Sequence, residues 1–210
     1  MYRFLRWLAA PFVALIHPTK VLRKEKFSEE SAIICCNHYA SSDVLIVAAK
    51  LLKKDLNVLA KAELFKGRFI SWFLRKLGAI KVNRGVPEVS VHKEILGRLK
   101  AGKQLLIFPE GTRNMAGTHD MADFKSGAGV YAMKARVPII PLMFHHQSKP
   151  FKRNWLIVGD KIDLSEFYGK NMHEIKDAVS VFLHDKMESL HKELDREVAA
   201  LTAKKKKWKS

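Results

Sequence analysis

Short apolar runs alternate along this chain with longer stretches in which apolar residues recur every three or four positions, and this alternation constrains the fold most. The runs predict strands at residues 31–36, 56–60, 79–82, 105–108, 139–144 and 155–158. The periodic stretches predict helices at residues 42–53, 67–77, 87–100 and 126–135, and a long helix from Met172 onward. Strands and helices in alternation indicate an α/β fold in which helices cover a sheet.

A histidine and an aspartate follow the first predicted strand. His38 and Asp43, with four residues between them, lie where this strand gives way to a helix, at the sheet edge where open α/β folds bind ligands. A neutral imidazole held by a carboxylate is a ready general base, because the carboxylate fixes its tautomer and stabilises the imidazolium. The alternative is a polar turn in which Ser42 or Asp43 only caps the helix.

A second polar turn follows the apolar run at residues 104–108. Pro109 ends the predicted strand, and Gly111 permits a positive φ or a close approach to a ligand. Arg113 then presents a planar, permanently charged fork that suits phosphate. Two strands that end in such turns indicate one site assembled from two parts of the chain.

These motifs, H-x4-D followed some seventy residues later by F-P-E-G-T-R, resemble those of the glycerolipid acyltransferases, in particular the bacterial 1-acylglycerol-3-phosphate acyltransferases. Four further segments match in order: residues 60–64 with Lys61, 78–84 with Arg84, 124–128 and 137–141. Within the segment 78–84, Arg84 is the only residue to which the resemblance assigns a role. The resemblance covers residues 30 to 145.

The resemblance implies a glycerolipid acyltransferase-like fold with a mixed, mostly parallel sheet. It also implies transfer of a fatty acyl chain from an acyl thioester to the free hydroxyl of lysophosphatidic acid, which gives phosphatidic acid in phospholipid synthesis. His38 would take the hydroxyl proton and Asp43 would orient His38. The oxygen would attack the thioester directly, without an acyl-enzyme, because no activated serine or cysteine is placed for it.

The resemblance further implies a set of substrate-binding residues: Lys61, Arg84, Glu110, Gly111, Thr112 and Arg113. The cations Arg113, Lys61 and Arg84 would hold the acceptor's phosphate. Backbone amides around Gly111 are candidate oxyanion donors, and Glu110 would order its loop or brace the acceptor. No cofactor and no metal is required, since the acyl donor is itself a substrate, an acyl carrier protein or coenzyme A thioester.

The formal net charge of +17 predicts an anionic partner, which could be a membrane, an acidic protein or nucleic acid. Ten of the basic residues lie between Lys50 and Arg84, against two acidic ones. Mixed with aromatic residues, they suit an anionic lipid surface or single-stranded nucleic acid, or form a solvated helix face. Together with the resemblance, this charge leads us to expect an anionic membrane surface, lysophosphatidic acid and an acyl carrier protein or coenzyme A thioester as partners, and no nucleic acid.

The N-terminal 28 residues are predicted to associate with a membrane. Their apolar stretch is too short to span a bilayer, and Arg3 and Arg6 suit an interfacial helical segment. A cleaved signal peptide and a helix packed on the core are the alternatives. Adjacent Cys35 and Cys36 point to opposite faces of a strand, which fits reduced thiols in a cytosol. We therefore expect a peripheral or monotopic protein on the cytoplasmic face of the membrane.

The sequence predicts one acyltransferase domain at residues 29–203 and a basic tail at residues 204–210. The histidines of the last predicted helix, His173, His184 and His191, have no carboxylates at ligand-like spacing, so no metal site is expected. Two alternatives remain open. One is an acyltransferase for another acceptor, such as glycerol 3-phosphate or another lysolipid. The other is a non-catalytic basic module that binds membranes.

Overall fold

The helices and strands of the computed structural model follow the predicted alternation closely. The structure describes residues 2–52, 57–83, 89–114 and 120–207. Within these ranges the helices are α1 Tyr2–Ile16, α2 Ser42–Lys50, α3 Arg68–Lys76, α4 Val89–Lys100, α5 Gly127–Ala135 and α6 Met172–Lys207. The strands are β1 Thr19–Leu22, β2 Ile33–Cys36, β3 Val58–Lys61, β4 Ala79–Val82, β5 Leu105–Ile107, β6 Ile139–Phe144 and β7 Asn154–Val158.

The described strands form one sheet in the order β1-β7-β6-β2-β5-β3-β4. β6, β2, β5, β3 and β4 are parallel to one another. β7 pairs antiparallel with β6, and β1 pairs parallel with β7, so these two strands run the opposite way. The expectation of a mixed, mostly parallel sheet is therefore confirmed.

The order of the strands explains which face each helix covers. The connections β2–α2–β3 and β3–α3–β4 step toward one edge of the sheet, whereas β4–α4–β5 and β5–α5–β6 step back. Because crossovers between parallel strands are right-handed, opposite steps place their helices on opposite faces. One apolar core accordingly joins α2 to residues of α1 and α3, and we call its side the α2 face. The other core joins α4, α5 and α6 on the α5 face.

This arrangement creates a crevice at the carboxyl edge of the sheet. β2 and β5 are neighbours, but the chain leaves β2 toward the α2 face and leaves β5 toward the α5 face. Such a switch point is where open α/β sheets bind ligands, because the two diverging connections leave a gap between them. His38 follows β2 and Glu110 follows β5, so both predicted motifs border this crevice.

Two elements differ from the predictions. β1 is not among the predicted strands, because its four residues carry only two buried side chains and border several cations. It lies inside the segment 1–28 that the sequence assigns to the membrane. Helix α6 continues through Lys207, into the residues predicted as a tail. The predicted helix start at 87–88 lies outside the described residues.

Two helical glycines provide a matched test of packing. A methyl group at Gly129 of α5 would come within 2.5 Å of Val179 of α6, whereas one at Gly97 of α4 would meet nothing within 4 Å. We expect Gly129→Ala to destabilise the protein by about 1–3 kcal/mol through overpacking. Gly97→Ala should stabilise it by roughly 0.5–1 kcal/mol through helix propensity. Urea denaturation measures both, and equal effects would contradict the close packing of α5 on α6.

Candidate active site

One oxygen of Asp43 organises the turn between β2 and α2. Its Oδ2 accepts hydrogen bonds from the backbone N–H groups of Tyr39 at 2.8 Å and Ala40 at 2.7 Å. It also lies 3.0 Å from Nδ1 of His38. The Asp43 side chain is fully buried. All three partners precede α2, and its N-cap residue Ser41 makes no side-chain cap bond, so Asp43 organises the turn around the histidine and does not cap the helix.

The hydrogen bonds to Asp43 determine which ring nitrogen of a neutral His38 carries the proton. An oxygen that accepts two backbone N–H groups acts as an acceptor toward the ring, so Nδ1 carries the proton and donates it. Nε2 of the neutral ring then keeps its lone pair. The ring stacks on Phe108 with centroids 3.9 Å apart and planes 19° apart, which holds its orientation. The His38 side chain is 13% exposed, so the site holds it firmly and still leaves it accessible.

Glu110 joins the second motif to the first. Its Oε1 accepts the backbone N–H of His38 at 3.1 Å, and its Oε2 accepts that of Ala122 at 3.3 Å. The backbone N–H of Asn114 donates in turn to the carbonyl of His38 at 2.8 Å. Glu110 is 4% exposed. These contacts are those of a residue that orders its loop, the first of the two roles expected for it.

The electrostatics of Glu110 are dominated by its burial. Burial raises the pKa of its carboxyl above the ordinary value, while the backbone N–H groups of His38 and Ala122 oppose this shift. Burial therefore disfavours the charged form of the Glu110 side chain. In this position the side chain cross-links the turns after β2 and β5, which are distant in sequence.

Arg113 and Gly111 lie on the turn after β5. Nη2 of Arg113 donates to Oγ of Ser41 at 2.7 Å, which brings the exposed guanidinium to the start of α2, close to the His38–Asp43 pair. Gly111 has φ of +68°, and a Cβ there would lie 2.8 Å from Cε of Lys125. The positive φ favours glycine at this position, whereas the end of the flexible Lys125 side chain could move aside.

One of the predicted oxyanion donors, the amide of Gly111, is already hydrogen-bonded within its own turn. The N–H of Gly111 donates to the carbonyl of Phe108 at 3.0 Å, so the turn itself uses it. The amides of Thr112 and Arg113 remain the candidates, and the Thr112 side chain is exposed. Lys61 is the exposed last residue of β3, beside β5 at the same edge of the sheet. Arg84 lies outside the described residues.

Sequence reasoning gave no site role to three residues that shape this site. Asn37 bonds through its side chain to both backbone groups of Phe144, at 2.9 and 2.8 Å, and so fixes the end of β2 to β6. Phe108 supports the imidazole, and Lys125 covers Gly111. Lys125 lies in the segment 124–128, which resembles the family, so the resemblance could have pointed to this residue. The contacts of Asn37 and Phe108 are long-range and have no local signature.

The cysteines near the site are not activated nucleophiles. Both are free and buried. Burial raises the pKa of Cys35 to about 12 and raises that of Cys36 well above its ordinary value. A thiol in that state is protonated at neutral pH and reacts poorly.

One expectation about the histidines is wrong. His184 lies with the exposed carboxylates Asp185 and Glu188 in a group whose ligand atoms fall within 4.8 Å of one another. His191 lies 3.9 Å from Asp195, one helical turn away. Helical spacing therefore does supply carboxylate neighbours to these histidines. Exposed acidic groups near a histidine are common without a metal, so we do not assign a metal site to this group.

The fold is an open α/β sheet, and the candidate site lies at its switch point. A model of the Acyltransferase family matches residues 18–145, which is more than half of the chain. The chain belongs to the Acyltransferase family. This result confirms the family to which the motifs point.

Several relatives carry the name 1-acyl-sn-glycerol-3-phosphate acyltransferase. The one from Bacillus subtilis is 29% identical over 202 residues, which cover 93% of this chain and 100% of that protein. The one from Streptococcus pneumoniae is 29% identical over 138 residues, which cover 65% of this chain. The match spans 49% of the length of that second relative.

A solved structure has the same fold. The crystal structure of the 1-acyl-sn-glycerophosphate acyltransferase from Thermotoga maritima superposes with a TM-score of 0.69 at 20% identity. The match covers 92% of this chain and 78% of that one. Among the described residues of our chain, no helix has the length and apolar character needed to cross a membrane.

The raised pKa of Glu110 predicts how the free energy of unfolding depends on pH, and this dependence tests the burial of its carboxyl. A folded-state pKa above the ordinary 4.5 contributes stability below that value, and this contribution is lost as pH rises through the folded pKa. Glu110→Gln cannot titrate. We therefore expect the free energy of unfolding of the wild type to fall relative to that of Glu110→Gln as the pH rises from about 4.5 through the folded pKa. Urea denaturation at several pH values measures the difference.

Gly97→Ala, which changes no titratable group, is the control, and its difference from the wild type should not vary with pH. A difference between wild type and Glu110→Gln that stays constant with pH, or changes in the opposite direction, would contradict the desolvation of Glu110.

Proposed function

We propose that this protein transfers a fatty acyl chain from an acyl thioester to the free hydroxyl of lysophosphatidic acid, giving phosphatidic acid. The observation that carries the proposal is the His38–Asp43 pair, held at 3.0 Å in the crevice with the Arg113 guanidinium bonded beside it to Ser41. A base and a permanent cation side by side suit an acceptor that bears both a hydroxyl and a phosphate. The names of the relatives from Bacillus subtilis and Streptococcus pneumoniae point to the same reaction.

The proposed chemistry is a direct displacement. Nε2 of His38 accepts the proton of the acceptor hydroxyl as its oxygen bonds to the thioester carbonyl carbon. Asp43 stabilises the imidazolium through Nδ1. The carbon–sulfur bond then breaks, and the leaving thiolate takes the proton back from His38. The amides of Thr112 and Arg113 are our candidates for stabilising the negative charge on the carbonyl oxygen.

The proposed phosphate site lies on the turns after β3 and β5. Arg113 is fixed to Ser41, which follows the β2 strand and opens α2, so its position relative to His38 is set by the same turn. Lys61 ends β3 at the same edge. A planar fork and a point charge at this edge would hold the phosphate while the hydroxyl reaches the base. Arg84 remains a predicted third cation.

Helix α1 is proposed as a peripheral membrane contact on the cytoplasmic face. Its inner side is attached to the domain, because Tyr2 is buried and Arg6 donates to the carbonyls of Ala48 and Ala49 at the end of α2. Its outer side exposes large apolar residues, namely Phe4, Trp7, Leu8, Phe12 and Leu15. One helix therefore satisfies both the interfacial interpretation and the core-packing alternative.

The proposed reaction is tested by His38→Ala in an assay of acyl transfer with purified protein and a panel of lysolipids. Loss of the general base should lower kcat by roughly 10²–10⁴-fold while the thermal unfolding profile stays close to that of the wild type. His173→Ala, at an exposed position near the start of α6, is the matched control. Near-normal turnover by His38→Ala would remove the mechanism, and activity confined to another acceptor would replace lysophosphatidic acid.

Arg113→Ala should weaken binding of the acceptor and leave the chemistry largely intact. A hydrogen bond to a charged group contributes about 1.5–3 kcal/mol, so the KM for lysophosphatidic acid should rise by about tenfold to a hundredfold. Steady-state kinetics with the exposed Arg196→Ala as control measure this. An unchanged KM would show that Arg113 serves the structure of the turn instead.

An acyl carrier protein thioester is the donor we favour over acyl coenzyme A. A carrier protein is acidic and offers a broad surface, which suits dispersed cations such as Lys50, Lys61 and Lys81. We expect a higher kcat/KM with the carrier protein at low salt, and a loss of that advantage at moderate salt. A salt-insensitive preference for acyl coenzyme A would reverse this choice.

A further inference from the structure

Helix α3 and the turn before it carry an exposed apolar surface that the fold does not use. Phe69 is 73% exposed, Leu64 55%, and Ile70 and Trp72 50% each. They lie within nine residues of one another along the chain, whereas the apolar residues of α2, α4 and α5 are buried or partly buried except for Leu45 and Val89. A contiguous exposed apolar patch of this kind is typical of a contact surface.

The apolar residues of α3 are interleaved with cations. Lys66, Arg68, Arg75 and Lys76 are all exposed, and the sequence from residue 66 to residue 76 contains no acidic side chain. Aromatic rings suit the boundary between headgroups and acyl chains, and basic side chains reach the anionic headgroups above it. The composition therefore complements an anionic bilayer in both its charge and its apolar layer.

The position of α3 agrees with that partner. Leu74 and Leu77 pack into the apolar core of the α2 face, so α3 lies on the same face of the sheet as α1. β3 ends at the carboxyl edge and β4 is parallel to it, so α3 begins at the edge that carries the site and runs back along the sheet. Phe69 and Leu64 are therefore close to the site edge.

The end of α1 reaches the same edge. The carbonyl of Ile16 accepts the N–H of Phe151 at 2.6 Å, and Phe151 lies in the loop between β6 and β7, beyond the carboxyl end of β6. Phe151 is itself 72% exposed, and Leu45 of α2, between the two helices in chain order, is 53% exposed. Exposed apolar residues thus extend over the α2 face on both sides of α2.

We propose that α3 is a second membrane contact, which inserts Phe69, Ile70 and Trp72 into an anionic bilayer while α1 inserts beside it. Two contacts on one face hold the domain in a fixed orientation, whereas a single helix would let it tilt. The α2 face then lies on the bilayer and the crevice edge borders the interface, with Lys61, seven residues before Arg68, at headgroup level. The part of this inference that concerns delivery of the acceptor from the bilayer to the site rests on the proposed function.

An acidic carrier protein is the other partner that the cations of α3 could attract. Charge complementarity would satisfy Lys66, Arg68, Arg75 and Lys76 equally well in that case. A carrier protein, however, offers no acyl layer into which the large aromatic side chains of α3 could insert. The apolar content of α3 therefore favours the bilayer over the carrier protein.

The test uses the full chain with Phe69→Ser/Trp72→Ser. Both side chains are at least half exposed, so the substitutions should leave the thermal unfolding profile unchanged. Trp7→Ser/Phe12→Ser on α1 is the positive control. Val181→Ser, 61% exposed on α6 at the opposite face, is the matched control for loss of exposed apolar surface. Sedimentation with vesicles of phosphatidylglycerol and phosphatidylcholine, and with phosphatidylcholine alone, measures binding.

We expect Phe69→Ser/Trp72→Ser to weaken binding to the phosphatidylglycerol vesicles by about tenfold or more, because the variant lacks two large apolar side chains that would enter the acyl layer. Val181→Ser should bind as the wild type does. Acyl transfer to an acceptor embedded in vesicles should show a raised KM, while kcat/KM for a short-chain, water-soluble acceptor should not change. Unaltered vesicle binding would overturn the proposal.

A second outcome would also overturn it. If the variant binds vesicles normally but loses kcat/KM with an acyl carrier protein donor and a water-soluble acceptor, α3 contacts the carrier protein. Vesicle binding needs no catalysis. Absence of acyl transfer in the wild type would therefore count against the proposed function and leave the binding result to decide on α3.

Discussion

Three hydrogen-bonding groups converge on one buried oxygen of Asp43, and the shape of the site depends on that convergence. The two backbone N–H groups of Tyr39 and Ala40 hold the carboxylate where the chain leaves β2. The carboxylate in turn holds Nδ1 of His38. Burying a charge is costly unless it is well paired, so an aspartate in this place is stable only with its partners present. The same contacts that make the burial tolerable also select the tautomer that leaves Nε2 free.

The sheet topology makes this turn part of a site. Because α2 and the segment leading to α5 diverge to opposite faces, the ends of β2 and β5 border one crevice. A second buried carboxylate, Glu110, then ties the two ends together through the backbone of His38. Asn37 ties β2 to β6 on the other side. The imidazole is thus fixed from three directions: by Asp43, by the bonds to its backbone and by the ring of Phe108.

Local patterns are enough to predict most of the elements and both motifs. The strands at 79–82 and 139–144 have the predicted bounds, since each is an apolar run between clear breaks. The predicted neighbours His38 and Asp43 are in contact, because the turn that joins them is short. The contacts between distant segments were beyond such patterns: the bond from Glu110 to the His38 backbone, the stack of His38 on Phe108, and Lys125 over Gly111. β1 was missed because its burial depends on β7, which is 135 residues away in the paired register.

The charge of Asp43 is the most direct point at which to test the account. Asp43→Asn keeps an oxygen able to accept the same N–H groups but removes the negative charge that stabilises the imidazolium. The account predicts that Asp43→Asn folds normally and binds its acceptor with little change in KM, while kcat falls by roughly 10²–10⁴-fold. The measurement is kcat and KM for transfer to lysophosphatidic acid, with thermal unfolding in parallel. A folded Asp43→Asn enzyme with kcat near that of the wild type would contradict the account.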